Sequence, residues 1–243
     1  ATRLKQRSGR LRNILVVGQI AVSLVLVSTA ILLVSTLLSA RQRSFGFVRD
    51  HVVVIEFDLP WSTDADKLKR FYESVEQSVR DLPGVRAAGI VDRVPLQGGG
   101  QGFTYTRIRG VTLDEATARR VVGFRAISNG YFAALRIPLL RGRLADPAQR
   151  EIVVNEAFAR RYFSGADPIG ASVSFSPPSR EPKWYVVVGV VGNVARSAME
   201  PFFPAETFVH YSLTFWPQGT LVLHGEGDPE TLLRAAQARI FQI

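Results

Sequence analysis

The sequence of 243 residues has no cysteine, three histidines and one methionine. The missing cysteine excludes disulfide frameworks, thiol nucleophiles and zinc-ribbon sites. It leaves the compartment open. His51, His210 and His224 stand far apart, and none falls in a metal-ligand spacing such as H-x-x-x-H. Each lies in or beside a segment that reads as a strand, where an edge or half-buried histidine is expected. Signatures of phosphate chemistry are lacking as well. Gly98-Gly99-Gly100 is not followed by Lys-Ser/Thr, and Gly189 with Gly192 gives no dinucleotide fingerprint. There is no G-x-S-x-G elbow from which a serine triad could start. The sequence therefore offers no catalytic residue, no metal ligand and no cofactor-binding residue, and the expectation is a non-enzyme that needs no cofactor.

Acidic residues are missing from one end of the chain. Residues 1–49 hold eight basic residues and no Asp or Glu, while the other 194 residues carry 22 basic and 21 acidic groups. The net charge of +9 thus belongs to one terminus. A basic patch on a folded domain, the footprint expected of a nucleic-acid binder, is not indicated. The same end contains a long run without charge. Ile14–Leu38 is 25 uncharged residues, about 37 Å as a helix, against a bilayer hydrocarbon core of roughly 30 Å. Ile14, Leu15, Val16, Val17, Leu24, Val25, Leu26, Ile31, Leu32, Leu33, Leu37 and Leu38 are its expected lipid-facing anchors. The Ser and Thr hydroxyls in the run can bond back to helix carbonyls. A cleavable signal peptide has a shorter apolar core, and Leu38-Ser39-Ala40 is a poor cleavage site, so the run reads as a retained anchor. Arg3, Lys5, Arg7, Arg10 and Arg12 precede it, whereas Arg41 and Arg43 follow. The positive-inside rule then places residues 1–13 in the cytoplasm and residues from about 40 onward outside.

Beyond a stalk at 39–49, local patterns alternate between strand and helix. Residues 51–59 put Val53, Ile55, Phe57 and Leu59 on one strand face. Ser62, Thr63 and Asp64 offer N-caps, and Leu68, Phe71, Val75, Val79 and Leu82 recur at helical spacing, with Asp64, Asp66, Glu73 and Glu76 expected on the solvated face. Pro83-Gly84 stops that helix before a strand over 85–94, giving a βαβ unit with a right-handed crossover. Strands are expected at 103–109, 118–127, 151–154, 173–175, 184–191, 206–211 and 220–224, with helices near 130–135 and over 156–163. Asp228-Pro229 starts a last helix running to Ile243 without a stop signal. The unfinished pattern of strand then helix suggests a fragment of a longer polypeptide. Arg119-Arg120 and Arg160-Arg161 read as solvent-facing charge. Residue patterns alone point to a membrane-anchored α+β module outside the cell membrane; a single-pass interaction or sensor module without an ATPase is one form of it.

Several segments carry a resemblance. RSGRLRNILVVGQIAVSLVLVSTAILLVSTL with VVVIEFDLP, FYESVEQSVRDLPGVRAAGIVDRVPL, ISNGYFAALRIPLLRGR, IVVNEAFARRYFSGADPIGASV and YVVVGVVGNV together resemble MacB-type ABC transporter permeases, of the FtsX-like kind. The tone is most similar to the large acidobacterial-type duplicated permeases. The resemblance implies an α+β protein: one N-terminal transmembrane helix, then a periplasmic core domain of two α/β subdomains. It would divide this chain into a cytoplasmic segment (1–13), the span (14–38), the stalk (39–49) and the core domain (50–243). Residues 50–95 and 184–243 would form the porter-like βαβ halves around an inserted subdomain at 98–182. It also implies a bacterial inner-membrane location, contact with membrane lipid, a cytoplasmic ABC ATPase as partner, and a second permease half or a homodimer. A periplasmic adaptor is a further expected partner, and nucleic acid is not. No Walker motif is present in this chain, so ATP hydrolysis would belong to that partner.

Overall fold

The structure, a computed structural model, describes residues 2–42, 45–97, 102–197, 202–214 and 217–243, with side chains of the first helix described over 16–36. The Gly98–Gly100 loop and Arg43 lie outside the described residues. So do the side chains of Arg3, Lys5, Arg7, Arg10, Arg12, Ile14, Leu15, Leu37, Leu38 and Arg41. The chain divides into two compact units, residues 1–44 and 45–243.

The first unit is one helix, α1 (Thr2–Gln42). Its stretch Val16–Thr36 has a mean hydropathy of 2.4 over 21 residues, long and apolar enough to cross a membrane. Thr29 Oγ1 donates to Val25 O at 2.8 Å and Thr36 Oγ1 to Leu32 O at 2.8 Å, so hydroxyls within the apolar run are satisfied inside the helix.

The second unit carries β1 (Val52–Asp58), α2 (Ala65–Arg80), β2 (Val85–Val91), β3 (Gly102–Phe103), β4 (Arg107–Ile108), α3 (Glu115–Ala118), β5 (Val122–Ile127) and α4 (Gly130–Ala134). Then follow β6 (Leu139–Gly142), β7 (Glu151–Asn155), α5 (Glu156–Phe163), β8 (Ser172–Ser174), β9 (Trp184–Val191), β10 (Glu206–His210), β11 (Gln218–Gly225) and α6 (Pro229–Ile240). Local chemistry explains the helix starts. Asp64, Asn155 and Asp228 each accept a backbone N–H from the first turn of α2, α5 and α6, satisfying donors that have no partner within the helix.

The strands join in the order β1-β11-β2-β5-β10-β7-β9-β8-β4, with β3 on β5 and β6 on β9. β11 is antiparallel to both β1 and β2, which makes β1 and β2 parallel with a third strand between them. The βαβ unit is therefore a split one, its gap filled by a strand more than 120 residues later in the chain. The side-chain alternation of β11 serves two cores: Leu221 and Leu223 face α2 and α6, while Val222 joins the cluster around Tyr131, Phe132 and Phe208 on the other side. A third cluster around Ile152, Phe158 and Val187 fills the part built on β7, β9 and α5. β9 and β10 flank β7, so the strands that close on β1 and β2 from the C-terminal part are those after residue 217.

Some expected elements differ. The strand expected over 103–109 is two short ones, β3 and β4, separated by residues 104–106. The strand expected over 118–127 begins only at Val122, because Ala118 ends the short helix α3 capped by Asp114. Glu76 was expected in solvent but is 7 % exposed. The buried face of α2, which packs on β2 and α6, includes Tyr72 and Glu76 beside Leu68, Val75 and Val79. Arg80 pairs with the Glu76 carboxylate at 2.6 Å, and burial still pushes that carboxyl above its ordinary value.

β2 and β5 share one ladder pair, Val91 with Ile127. The join is secured beside it by close backbone packing: a Cβ on Gly89 would stand 2.0 Å from Tyr131 N, and one on Gly130 would stand 1.9 Å from Ala88 O. No side chain fits between β2 and the start of α4. Gly89→Ala should therefore lower stability by about 2–3 kcal/mol, as overpacked cores do, read as a shifted denaturation midpoint of the chain in detergent; an unchanged midpoint would contradict the contact.

Candidate functional site

No cluster of three or more His, Asp or Glu suited to a metal is present among the described residues. His210 Nδ1 lies 2.8 Å from Ser212 Oγ with its ring against Tyr211, and burial followed by the charge of Lys69 brings its pKa down to about 4. Ser212 Oγ in turn donates to Pro147 O at 2.8 Å. His224 is buried on β11, where burial and the charges of Arg136 and His51 lower its pKa. The features that stand out are the entry segment after α1 and a group of buried charges.

Along α1, Val16, Val17, Leu24, Val25, Leu26, Ile31, Leu32 and Leu33 are all exposed, and Leu24 is 69 % so. A helix apolar on every side suits a hydrocarbon solvent rather than water. Three residues after Gln42 the chain is already part of the second unit. Phe45 O accepts from Ala195 N at 2.9 Å, and Val48 N donates to Leu135 O at 3.0 Å. Gly46 lies at φ +80°, and a Cβ there would stand 1.7 Å from Asn193 O, so both the turn and the close approach require glycine. The Arg49 guanidinium sits 4.9 Å above the Phe45 ring. The outer half of the stalk is thus seated on the connector between β9 and β10 and on the turn after α4. Sequence patterns did not signal this seating, because no periodicity marks a docked irregular segment.

The buried charges gather where β2 ends. The side chains of Arg125 on β5 and Glu206 on β10 are 6 % and 1 % exposed and lie 3.3 Å apart. Arg196 Nε is 3.7 Å from the same Glu206 oxygen. Arg125 Nη1 also donates to Arg93 O at 2.6 Å, and Leu96 N donates to Arg196 O at 3.1 Å. One carboxylate therefore orients two arginines, and each arginine holds the segment that leaves β2. That segment forms one wall of a cleft of about 280 Å³ lined by Glu56, Asp58, Asp92, Arg93, Gln97 and Gln218 among others. Gln97 Nε2 reaches across to Glu56 Oε1 at 2.6 Å. A signal for Arg125 was available: it is a single charge inside the otherwise apolar strand VGFRAI, and charge in such a place is retained only when paired, whereas Glu206 at the start of ETFVH carries no such mark.

Asp92 joins this group. Burial raises its pKa to about 6 against the opposing charge of Arg125, and its Oδ1 is buried with no hydrogen-bond partner. Below about pH 4 the group is protonated in both folded and unfolded chains. Between pH 4 and 6 the unfolded chain gives up the proton more readily, so stability falls as pH rises, by on the order of 3 kcal/mol in full. His210, held neutral by burial, acts in the opposite sense over the same range. Asp92→Asn should therefore stabilise the chain relative to the unmodified protein at pH 7.5 and lose that advantage at pH 4, as seen in paired thermal melts. An advantage that does not change with pH would refute the assignment.

Comparison with known proteins places this geometry. A sequence model described as the MacB-like periplasmic core domain matches residues 14–240, covering α1 and nearly all of the second unit. Among solved structures, the periplasmic region of MacB from Actinobacillus actinomycetemcomitans is similar at a TM-score of 0.51 and 12% identity, over 84% of this chain and 90% of that one. A domain from Porphyromonas gingivalis, named as coming from a permease, is similar at a TM-score of 0.51 and 14% identity, over 83% and 84% of the two chains. At such identities the likeness is one of fold. No curated protein matches the chain. With a family match across nearly its whole length, the chain belongs to the MacB-like periplasmic core domain family, a family of ABC transporter permease components rather than catalytic enzymes.

Proposed function

We propose that this chain is part of the permease of a MacB/FtsX-like ABC transporter in the bacterial inner membrane. In this reading the N-terminus is cytoplasmic, α1 spans the membrane and residues from Phe45 onward stand outside. The observation that carries the reading is a single family match that runs through the apolar helix and on through the sheet domain, so anchor and domain form one functional piece. A cytoplasmic ATPase on a partner subunit or domain hydrolyses ATP, and the permease turns the resulting motion into export or a mechanical signal. A second permease half or a second copy completes the transporter, and a periplasmic adaptor is its outer partner.

The seating of Phe45–Val48 supports the mechanical part. Only residues 43 and 44 separate the last helical residue of α1 from a segment hydrogen-bonded into the domain. In this reading β1, α2 and β2 with β11 and α6 form the porter-like part and the strands around β7 and β9 the inserted part, which moves the boundary expected at residue 184 to about residue 217. Among the described residues β1 is an edge strand of the sheet, and α6 packs beside it.

Two experiments test this. The absence of cysteine allows single-thiol mapping without background. Ser62→Cys should react with a membrane-impermeant maleimide in intact spheroplasts, and Ser8→Cys only after lysis; the reverse pattern would invert the topology. Replacing Arg41–Ser44 with a glycine-serine tract should abolish export, or drop it to a small fraction, while leaving the circular dichroism of the domain unchanged. Normal export by that variant would sink the mechanical role. Failure of any ATPase to co-purify with the full-length permease would favour a single-pass interaction module instead.

A further inference from the structure

The connector between β9 and β10 does two jobs within four residues. Its first part is the seat of the stalk: Gly46 packs against the Asn193 backbone and Phe45 O accepts from Ala195 N. Its next residue, Arg196, is the latch of the cleft, its carbonyl accepting from Leu96 N and its guanidinium meeting Glu206. The connector is held at both ends by groups that fix its position. Asn193 Oδ1 accepts from Ala157 N at 2.7 Å, and its Nδ2 donates to Glu156 Oε2 at 2.8 Å, tying the stalk end to the start of α5. At the cleft end, Glu206 is anchored by Asn155, whose Oδ1 accepts from both Glu206 N at 3.0 Å and Phe158 N at 2.9 Å. Asn155 also donates to Pro204 O at 2.7 Å and is fully buried. Through Arg125 the same Glu206 carboxylate holds Arg93 O, and through its ion pair with the Arg196 guanidinium it stands beside the residue whose carbonyl takes Leu96 N, while Asp92 N donates separately to Ala126 O at 2.9 Å.

We propose that the Asn193–Arg196 connector couples the position of the stalk to the wall of the Asp92–Gln97 cleft, with Glu206 as the positioning residue that holds both arginines of the latch. A shift of the stalk at Phe45–Gly46 moves Asn193–Ala195, and Arg196 carries that shift to Leu96. Gln97 bridges the wall to Glu56 on β1, so the same movement changes the width of the cleft. The cleft becomes the place where motion of the anchor is felt in the outer domain. This rests on the reading of α1 as a transmitter of motion, but its geometry lies wholly within residues 45–243.

The test is hydrogen exchange with mass spectrometry on the full chain in lipid nanodiscs. Gly46→Ala, which forces the stalk off Asn193, should speed exchange over residues 92–97 by about tenfold while the β1–β11 ladder keeps its protection. Glu206→Gln should speed the same segment by itself. In the Glu206→Gln background, adding Gly46→Ala should bring little further change, since the shared route is already broken. Phe45→Ala, a milder change at the same seat, serves if Gly46→Ala does not fold. As a control, Asn129→Ala removes a comparable side-chain hydrogen bond to Ala145 O and should leave 92–97 untouched. The proposal is overturned if stalk variants leave 92–97 unchanged, if they speed exchange everywhere, or if the two substitutions act additively. Export that proves independent of the stalk, with this exchange pattern present, would remove the transport reading and leave the coupling standing.

Discussion

Between β2 and β5 the sheet is held by one ladder pair, and the order of everything on either side depends on what stands beside that pair. Gly89 and Gly130 let the backbone of β2 touch the start of α4 directly, while Ser128 Oγ accepts from Ile90 N at 2.9 Å. A contact of backbone on backbone is short and stiff, because no side-chain rotamer can absorb a displacement. The Tyr131–Phe132–Phe208 core then forms across the join, drawing on Val91 and Val222 from one part and Val153 and Val191 from the other. The two parts of the domain are thus fastened by packing more than by strand pairing.

Buried charge provides the second constraint. Arg125 and Glu206 stand among apolar strands, where desolvation costs several kcal/mol per ion unless geometry compensates. Their compensation is partial: Arg125 Nε and Glu206 Oε2 have no hydrogen-bond partner, although the ion pair itself is close. Such an arrangement contributes little net stability compared with an apolar replacement. What it supplies is position, since a planar guanidinium shared between a carboxylate and a carbonyl has few alternative geometries. This is why the segment after β2 lies where it does, and why the cleft has a defined wall.

A mechanical role suits a domain of this construction. A protein that transmits displacement needs a stiff entry, a stiff body and an element at which shape changes. The seated stalk supplies the first and the welded sheet the second. The latch of two arginines on a single carboxylate supplies the third.

Much of the architecture was legible in residue patterns. Ile14–Leu38 announces a helix for a hydrocarbon medium by length and lack of charge alone, because the bilayer sets the length. The β1-α2-β2 order, the Asp64 and Asp228 caps and the apolar strand at 184–191 follow from local periodicity and local hydrogen bonding, which depend on neighbours a few residues away. Other features were decided only by tertiary structure. That β11 enters between β1 and β2 depends on a segment more than 120 residues distant, and no local period encodes a partner's address. The burial of Glu76 depends on the turn from β5 into α4, Ser128–Gly130, arriving beside it, and the pairing of Arg125 with Glu206 depends on β5 lying beside β10. Periodicity reports which face of an element is apolar, whereas the partner that covers that face, and the charge that must then be neutralised beneath it, is settled only when the strands close.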